Sequence, residues 1–169
     1  MQTLYENIPA TAGPADIRSE PDTALSPLVN QPHLDAWRAL LNAHATMTRH
    51  IEDALSDSGL PPLAWYDVLW PVYQAKDRRL RMRDLAEQVV TISRSGLTRL
   101  VDRIVDAGML ERDATPGDRR GTDVVLTDKG AALLKQMWPV YAKAVNAHFA
   151  EPLSKAKAEA LEDALRRVG

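Results

Sequence analysis

The stretch 85–126, LAEQVVTISRSGLTRLVDRIVDAGMLERDATPGDRRGTDVVL, decides the fold of this chain. Its first residues, 85–90, carry a short apolar pattern that favours a small helix with one buried face. Ser93 is a good N-cap for a second helix, and Gly108 is a good terminator for it. One face of this second helix is apolar at helical spacing and is predicted to be core: Leu97, Leu100, Val101, Ile104 and Val105.

A β-hairpin with arginines at its tip is predicted directly after this helix. Two short runs, 109–112 and 122–126, have the composition of strands, and the segment 115–121 between them is rich in turn residues. An α-helix fits the major groove of DNA, and a slim arginine-bearing loop reaches the neighbouring minor groove or the backbone. The stretch therefore indicates a helix-turn-helix followed by a β-wing, a shape suited to DNA.

These residues resemble the MarR family of winged-helix regulators. The resemblance covers roughly residue 33 to the end, and it is carried by SRSGLTRLVDR at 93–103, GMLER at 108–112, GDRRG at 117–121 and LTDKG at 126–130. It implies a mostly α (α+β winged helix) fold whose core is flanked by long N- and C-terminal dimerisation helices. It also implies a homodimeric transcriptional regulator, a repressor that a small ligand releases from DNA.

Charge is distributed unevenly along the chain. The net charge is −2, but residues 78–120 hold ten arginines and no lysine against seven acids, a local net charge of +3. Basic charge concentrated on the motif is what contact with phosphates requires. The chain has no cysteine, which excludes disulfides and the cysteine-based oxidant sensing of some similar regulators.

The rest of the chain is predicted to form a tail and a set of helices. Residues 1–30 are rich in proline and are predicted to be a flexible tail, and 31–169 are predicted to be a single domain. Within it, 63–127 form the DNA-binding lobe with a loop at 77–79, and Thr127 and Ser154 begin the last helices. The long helices in 31–60 and 128–169 exceed what the core needs, so we expect them to pair with a second copy.

Several side chains are predicted to contact DNA. They lie in the first turns of the second helix, slightly further along it, and in the wing: Ser93, Arg94, Ser95, Thr98, Arg99, Arg103, Asp118, Arg119 and Arg120. For Arg103, a structural role is the alternative to contact with DNA. The resemblance implies that Arg120 enters the minor groove and that Asp118 braces it, although Asp also suits such turns by itself. Arg119 contacts either phosphate or solvent.

A second candidate site would bind an effector. Proteins similar to this family bind small aromatic or phenolic anions between the dimer helices and the DNA-binding lobe. The residues that would line such a pocket here are Trp37, His44, Trp65, Tyr66, Asp67 and Trp70. The alternative interpretation is that these aromatic side chains pack in the core and the dimer interface.

No enzyme signature and no metal-ligand spacing occurs in the sequence, so we expect a protein without catalytic activity or cofactor. The chain also has no long apolar run and no signal-peptide pattern, which favours the cytosol. Two other functions remain open. The winged helix could serve as a protein-interaction module, or it could bind DNA without any small-molecule effector.

Overall fold

A computed structural model describes residues 29–89, 92–115, 117–118 and 121–168. Within these ranges the chain is mostly helical, and a small sheet lies near its middle. The elements follow in the order α1 (Gln31–Asp57), α2 (Leu63–Gln74), a 3-10 turn (Lys76–Arg78), β1 (Arg79–Arg81), α3 (Met82–Gln88), α4 (Arg94–Asp106), β2 (Leu110–Ala114), β3 (Thr122–Leu126), α5 (Asp128–Val145), a π-helical turn (Asn146–Ala150) and α6 (Lys155–Arg166).

The chain divides into two compact units, of which the first ends at Leu40 and the second begins at Leu41. In the first unit the described residues are 29–40, which are helical from Gln31 and largely exposed. The amide of Gln31 donates a hydrogen bond to Asp35 at 2.8 Å one turn later. The segment predicted to be a flexible tail lies outside the described residues, except for its last two positions.

The second unit has one hydrophobic core, to which helices and strands both contribute. The apolar stripe predicted for α4 forms part of it, because Leu97, Leu100, Val101 and Ile104 are all buried. This confirms the predicted core face of the helix. The other large side chains that are fully buried come from six elements: Leu55, Val68, Leu69, Val72, Leu85, Leu110, Val124 and Met137.

The sheet has three antiparallel strands in the order β1-β3-β2, one more than the sequence predicted. The predicted strand at 122–126 is confirmed as β3, and the other predicted strand is β2, displaced by one or two residues. The predicted loop at 77–79 was wrong at its end, because Arg79 begins β1 and pairs with Val125 of β3. A three-residue strand carries too little alternation to be recognised, and its backbone pairing is what defines it.

The last two helices begin where the sequence predicted, the first of them after the predicted cap Thr127. The hydroxyl oxygens of Thr127 and Ser154 each accept a backbone N–H bond, from Gly130 at 3.0 Å and from Lys157 at 3.4 Å. These bonds satisfy donors that a helix N-terminus otherwise leaves unpaired. Among the described residues, no helix has both the length and the apolar character needed to cross a membrane.

Candidate nucleic-acid interface and aromatic cavity

The second helix of the helix-turn-helix is α4, here called the recognition helix. Residues of its own sequence define where it begins and where it ends. At its start the backbone N–H of Gly96 donates to Ser93 Oγ at 3.2 Å. At its end Gly108 takes a φ of +75°, a left-handed conformation that glycine adopts without strain. The N–H of the following Met109 then returns to the carbonyl of Ile104 at 3.0 Å. The helix therefore has defined limits.

The face of α4 opposite the core is polar and open to solvent. All six residues predicted to contact DNA from this helix and its cap are exposed: Ser93, Arg94, Ser95, Thr98, Arg99 and Arg103. The hydroxyl of Thr98 donates to the carbonyl of Arg94 at 3.1 Å, which leaves its methyl group and lone pairs for other contacts. The helix thus presents arginines and short polar side chains together on one surface.

A groove of about 410 Å³ lies between α4 and the hairpin. Its walls include Thr98 of the recognition helix and Thr122 of β3, and three arginines also line it: Arg81, Arg83 and Arg112. These arginines are not among the predicted DNA contacts, although they lie in the segment 78–120 whose basic charge is evident from the sequence. Their position follows from the third strand and from the pairing of β2 with β3, which local sequence patterns do not reveal.

An ion pair joins the recognition helix to the hairpin. Arg112 of β2 donates to the carboxylate of Asp102 on α4 at 2.7 Å. Both side chains are partly exposed, so the pair contributes little to stability by itself. Its geometric effect is to hold the first strand of the hairpin against the recognition helix.

The end of the hairpin next to its turn is held by a second cluster around Arg79. Its guanidinium contacts Asp113 Oδ2 at 2.6 Å and Asp123 Oδ2 at 3.3 Å, one carboxylate from each strand of the hairpin. The buried Asp123 also accepts a hydrogen bond of 2.5 Å from the hydroxyl of Thr115. The hydrogen bond from Arg79 holds the pKa of Asp113 below its ordinary value. β1 is therefore the element that clamps both hairpin strands.

The turn of the hairpin is described only in part. The N–H of Asp118 donates to the carbonyl of Thr115 at 3.0 Å, and the N–H of Gly121 donates to the carbonyl of Asp118 at 3.1 Å. The carboxylate of Asp118 lies 3.8 Å from Arg81. Arg119 and Arg120, predicted to contact DNA, lie outside the described residues. The roles assigned to these two arginines and to Asp118 stay predictions.

The LTDKG segment joins the end of the recognition helix to the start of α5. The hydroxyl of Thr127 lies 2.8 Å from the carbonyl oxygen of Gly108, and Lys129 Nζ donates to the carbonyl of Ala107 at 2.7 Å. These carbonyls belong to the C-terminal end of α4, where helices leave acceptors unpaired. The segment therefore fixes the recognition helix relative to the last long helices.

A cavity of about 510 Å³ lies between α2, the end of α3 and α5. Four of its lining residues come from α2, two from the end of α3 and two from α5: Tyr66, Asp67, Trp70, Pro71, Gln88, Val89, Trp138 and Tyr141. Three of the six residues predicted to bind an effector are thus brought together. Of the others, Trp65 is half-buried against the core, His44 is exposed on α1, and Trp37 is exposed in the first unit.

Sequence reasoning missed Trp138 and Tyr141, which complete the aromatic wall of this cavity. Their rings lie 6.0 Å apart, and they stack in turn on Trp70 at 5.9 Å and on Tyr66 at 4.7 Å. Tyr66 and Trp70 stack at 5.7 Å, so the four rings form a closed set of contacts. The spacing of three residues in α5 places both rings on one face, and this was the signal available in the sequence.

Burial and nearby negative charge raise the pKa values of the acidic groups in this cavity. Desolvation, with smaller contributions from Tyr141 and Asp67, raises the pKa of Tyr66 to about 12. Desolvation and the nearby charge of Glu52 raise the pKa of Asp67, and desolvation with the charge of Asp67 raises that of Tyr141. The cavity is therefore a place of low polarity and negative potential.

The helix pair α3 and α4, a clamped three-stranded sheet and an exposed basic face on α4 define a winged helix-turn-helix protein. Residues 58–121 match the model of the MarR family. The matched segment holds the helix-turn-helix and most of the hairpin, so the fold and this match identify the winged helix as one of the MarR family of transcriptional regulators.

Known relatives support this assignment over most of the chain. The HTH-type transcriptional regulator MhqR of Bacillus subtilis is 29% identical over 136 residues, which cover 80% of this chain and 90% of the relative. Among solved structures, Sco3205, a MarR family transcriptional regulator from Streptomyces coelicolor in complex with DNA, is 27% identical with a TM-score of 0.77, over 85% of this chain and 89% of that one. A mutant MarR from E. coli complexed with operator DNA is 26% identical with a TM-score of 0.70, over 85% and 99% of the two chains.

Proposed function

We propose that this protein is a cytoplasmic homodimer that represses transcription by binding a pseudo-palindromic operator in double-stranded DNA. A small aromatic or phenolic ligand releases it from that operator. The observation that carries the proposal is the exposed polar face of α4, with Arg94, Ser95, Thr98 and Arg99, beside a groove lined by three more arginines. The DNA complexes of two similar structures support the same function.

In this proposal the polar face of α4 lies in the major groove. Arg94, Ser95, Thr98 and Arg99 contact bases and phosphates, since an arginine grips guanine through two hydrogen bonds. The cap residue Ser93 and the more distant Arg103 contact the backbone. The wing, with Asp118, Arg119 and Arg120, contacts the adjacent minor groove or its phosphates.

Two copies of the chain are needed for useful specificity. One recognition helix covers only a few base pairs, whereas a two-fold dimer places two such helices about one duplex turn apart. The helices in 31–60 and 128–169 provide the pairing surface in this proposal. Apolar residues exposed on α6 and on either side of it support such a use: Phe149, Leu161, Leu165 and Val168.

Release by a ligand acts through the cavity beside the helix-turn-helix. Gln88 and Val89, which border the cavity, end α3 only a few residues before the cap of α4. A ligand that fits one position of α3 better than another also selects a position of α4. Binding therefore shifts the population of dimers away from the spacing that fits the operator.

The test uses DNA flanking the protein's own gene. Footprinting with unrelated competitor DNA locates the operator, and fluorescence anisotropy then gives the affinities of variants. Arg99→Ala is expected to weaken operator binding by about 1–3 kcal/mol per recognition helix, because it removes a base contact. Lys76→Ala, which removes a positive charge from an exposed residue of the 3-10 turn, outside the proposed DNA contacts and pairing helices, serves as the control and is expected to bind normally.

The outcomes separate this function from its alternatives. If Arg99→Ala remains dimeric and loses operator affinity, sequence-specific repression by the recognition helix is supported. Weak, unlocalised binding that disappears as salt rises would contradict it and favour a protein-interaction module. If no aromatic compound dissociates a specific complex, the result would favour the alternative in which the protein binds DNA without a small-molecule effector.

A further inference from the structure

We infer that the aromatic cavity binds an organic cation, a flat aromatic ammonium compound, rather than the aromatic anion that the family resemblance implies. The inference rests on the proposed function, since it names the ligand class of the proposed effector site. It is carried by the charge and the ring geometry of the cavity lining.

Among the described residues, the lining contains one charged group, and that group is an acid. Asp67 lies in the cavity wall, and no basic side chain is among the described residues that line it. Asp67 also makes no ion pair with any residue in the part of the chain that the structure describes. A bound anion would therefore meet an unpaired carboxylate without a compensating arginine, lysine or histidine, and burial there makes this repulsion costly.

The rest of the lining suits a cation. Tyr66, Trp70, Trp138 and Tyr141 stack on one another in a closed set, and the face of an aromatic ring attracts positive charge. Trp138 is 50% exposed, so part of this wall remains open to an incoming molecule. Aromatic faces beside a carboxylate are the combination by which proteins recognise ammonium groups.

The size of the cavity sets the size of the ligand. A volume of about 510 Å³ falls within the range of sites for drug-sized molecules. A bicyclic aromatic cation would contact several rings at once, with its charge near Asp67. The amide of Gln88, which also lines the cavity, can hydrogen-bond to a polar group of the ligand.

Three bicyclic aromatic probes of similar size and different charge test this inference on the full-length protein without DNA. They are N-methylquinolinium, quinoline, which is neutral at pH 8, and 1-naphthoate. Isothermal titration calorimetry is expected to give an affinity for N-methylquinolinium about tenfold higher than for quinoline, since one desolvated charge interaction is gained. 1-Naphthoate is expected to bind most weakly.

Variants assign the effect to this cavity. Asp67→Asn is expected to lower the affinity for N-methylquinolinium about tenfold and to leave quinoline unchanged, because only the charge is removed. Glu87→Gln, an exposed acid of α3 that does not line the cavity, is the control and is expected to change neither affinity. Trp138→Leu removes a half-exposed ring and is expected to weaken the cation about fivefold.

The results that overturn the inference are distinct from those that overturn the proposed function. 1-Naphthoate binding at least as tightly as N-methylquinolinium, no probe binding at all, or an unchanged cation affinity in Asp67→Asn would each reject the cation site. Operator binding, measured separately by anisotropy, would stand in all three cases. Cation binding that leaves the operator complex intact would instead confirm the site and reject its role in release.

Discussion

Gly130 is required by a backbone contact that no local sequence pattern reveals. A Cβ built at this position would lie 2.2 Å from the carbonyl oxygen of Met109 and 2.7 Å from Leu126 Cδ1. The helix α5 thus approaches the start of β2 more closely than any side chain permits. This contact places the LTDKG segment against the end of the recognition helix.

Gly130→Ala is therefore expected to destabilise the protein by about 1–3 kcal/mol, the usual cost of overpacking a rigid site. Helix propensity alone predicts the opposite, a gain of about 1 kcal/mol. Urea unfolding at fixed protein concentration measures the difference. Ala132→Gly, at an exposed position of the same helix, reports the propensity effect by itself, and a stabilised Gly130→Ala would show that the close approach is not rigid.

For single residues, burial could be predicted from the sequence more accurately than contacts between residues that are distant in the chain. The core face of α4 follows from a period of 3.6 residues, and Leu97 and Ile104 are buried as that period requires. The groove arginines Arg81 and Arg112 are different. They lie 31 residues apart in the numbering and line the same groove only because the sheet brings β1 and β2 to the same strand.

The element that decides the position of the hairpin is β1. It is only three residues long, yet Arg79 at its start contacts one carboxylate on each hairpin strand. Helix caps and the longer strands could be read from the sequence because turn and cap residues mark them. β1 could not, since its only signal is pairing with β3.

The clamp predicts how stability depends on pH. The pKa of Asp113 is lowered in the folded protein, first of all by the hydrogen bond from Arg79. A lowered folded pKa means that the stabilisation is complete above the ordinary carboxyl pKa of about 4, and that it is lost as pH falls below that value. Asp113→Asn is therefore expected to be less stable than the unmodified protein at pH 7, with a gap that closes towards pH 3.

Urea unfolding at several pH values between 3 and 7 measures this gap. Glu111→Gln, on the same strand, is the matched control, because Glu111 has no ion pair among the described residues. It should follow the unmodified protein at every pH. A gap for Asp113→Asn that stays constant down to pH 3 would mean that the clamp does not depend on the charge of Asp113.

At the level of the whole molecule, the walls of the aromatic cavity depend on helix packing, which the sequence alone does not predict. Its walls come from α2, α3 and α5, and the partners Tyr66 and Tyr141 are separated by most of the winged helix. Sequence reasoning found the α2 side, where aromatic residues cluster. It could not choose the opposite wall, because that choice depends on how α5 packs against α2.

The exposed apolar face of α6 leads to a prediction about assembly. No residue of α6 is buried in one copy of the chain, and Leu161 and Leu165, one turn apart, are each more than one third exposed. A second copy would cover this face in the proposed dimer. Charge placed there would be desolvated without a partner, so the double variant Leu161→Glu/Leu165→Glu is expected to be monomeric.

The same variant is expected to lose most of its affinity for the operator. Two half-sites joined in one dimer gain about 10²–10⁴ in affinity over separate binding, and a monomer forfeits that gain. Analytical ultracentrifugation gives the assembly state and anisotropy gives the affinity. Ala156→Glu adds an exposed glutamate to the first turn of the same helix and is expected to change neither. A double variant that stays dimeric would remove α6 from the interface, whereas a monomer with undiminished operator affinity would contradict recognition by paired helices.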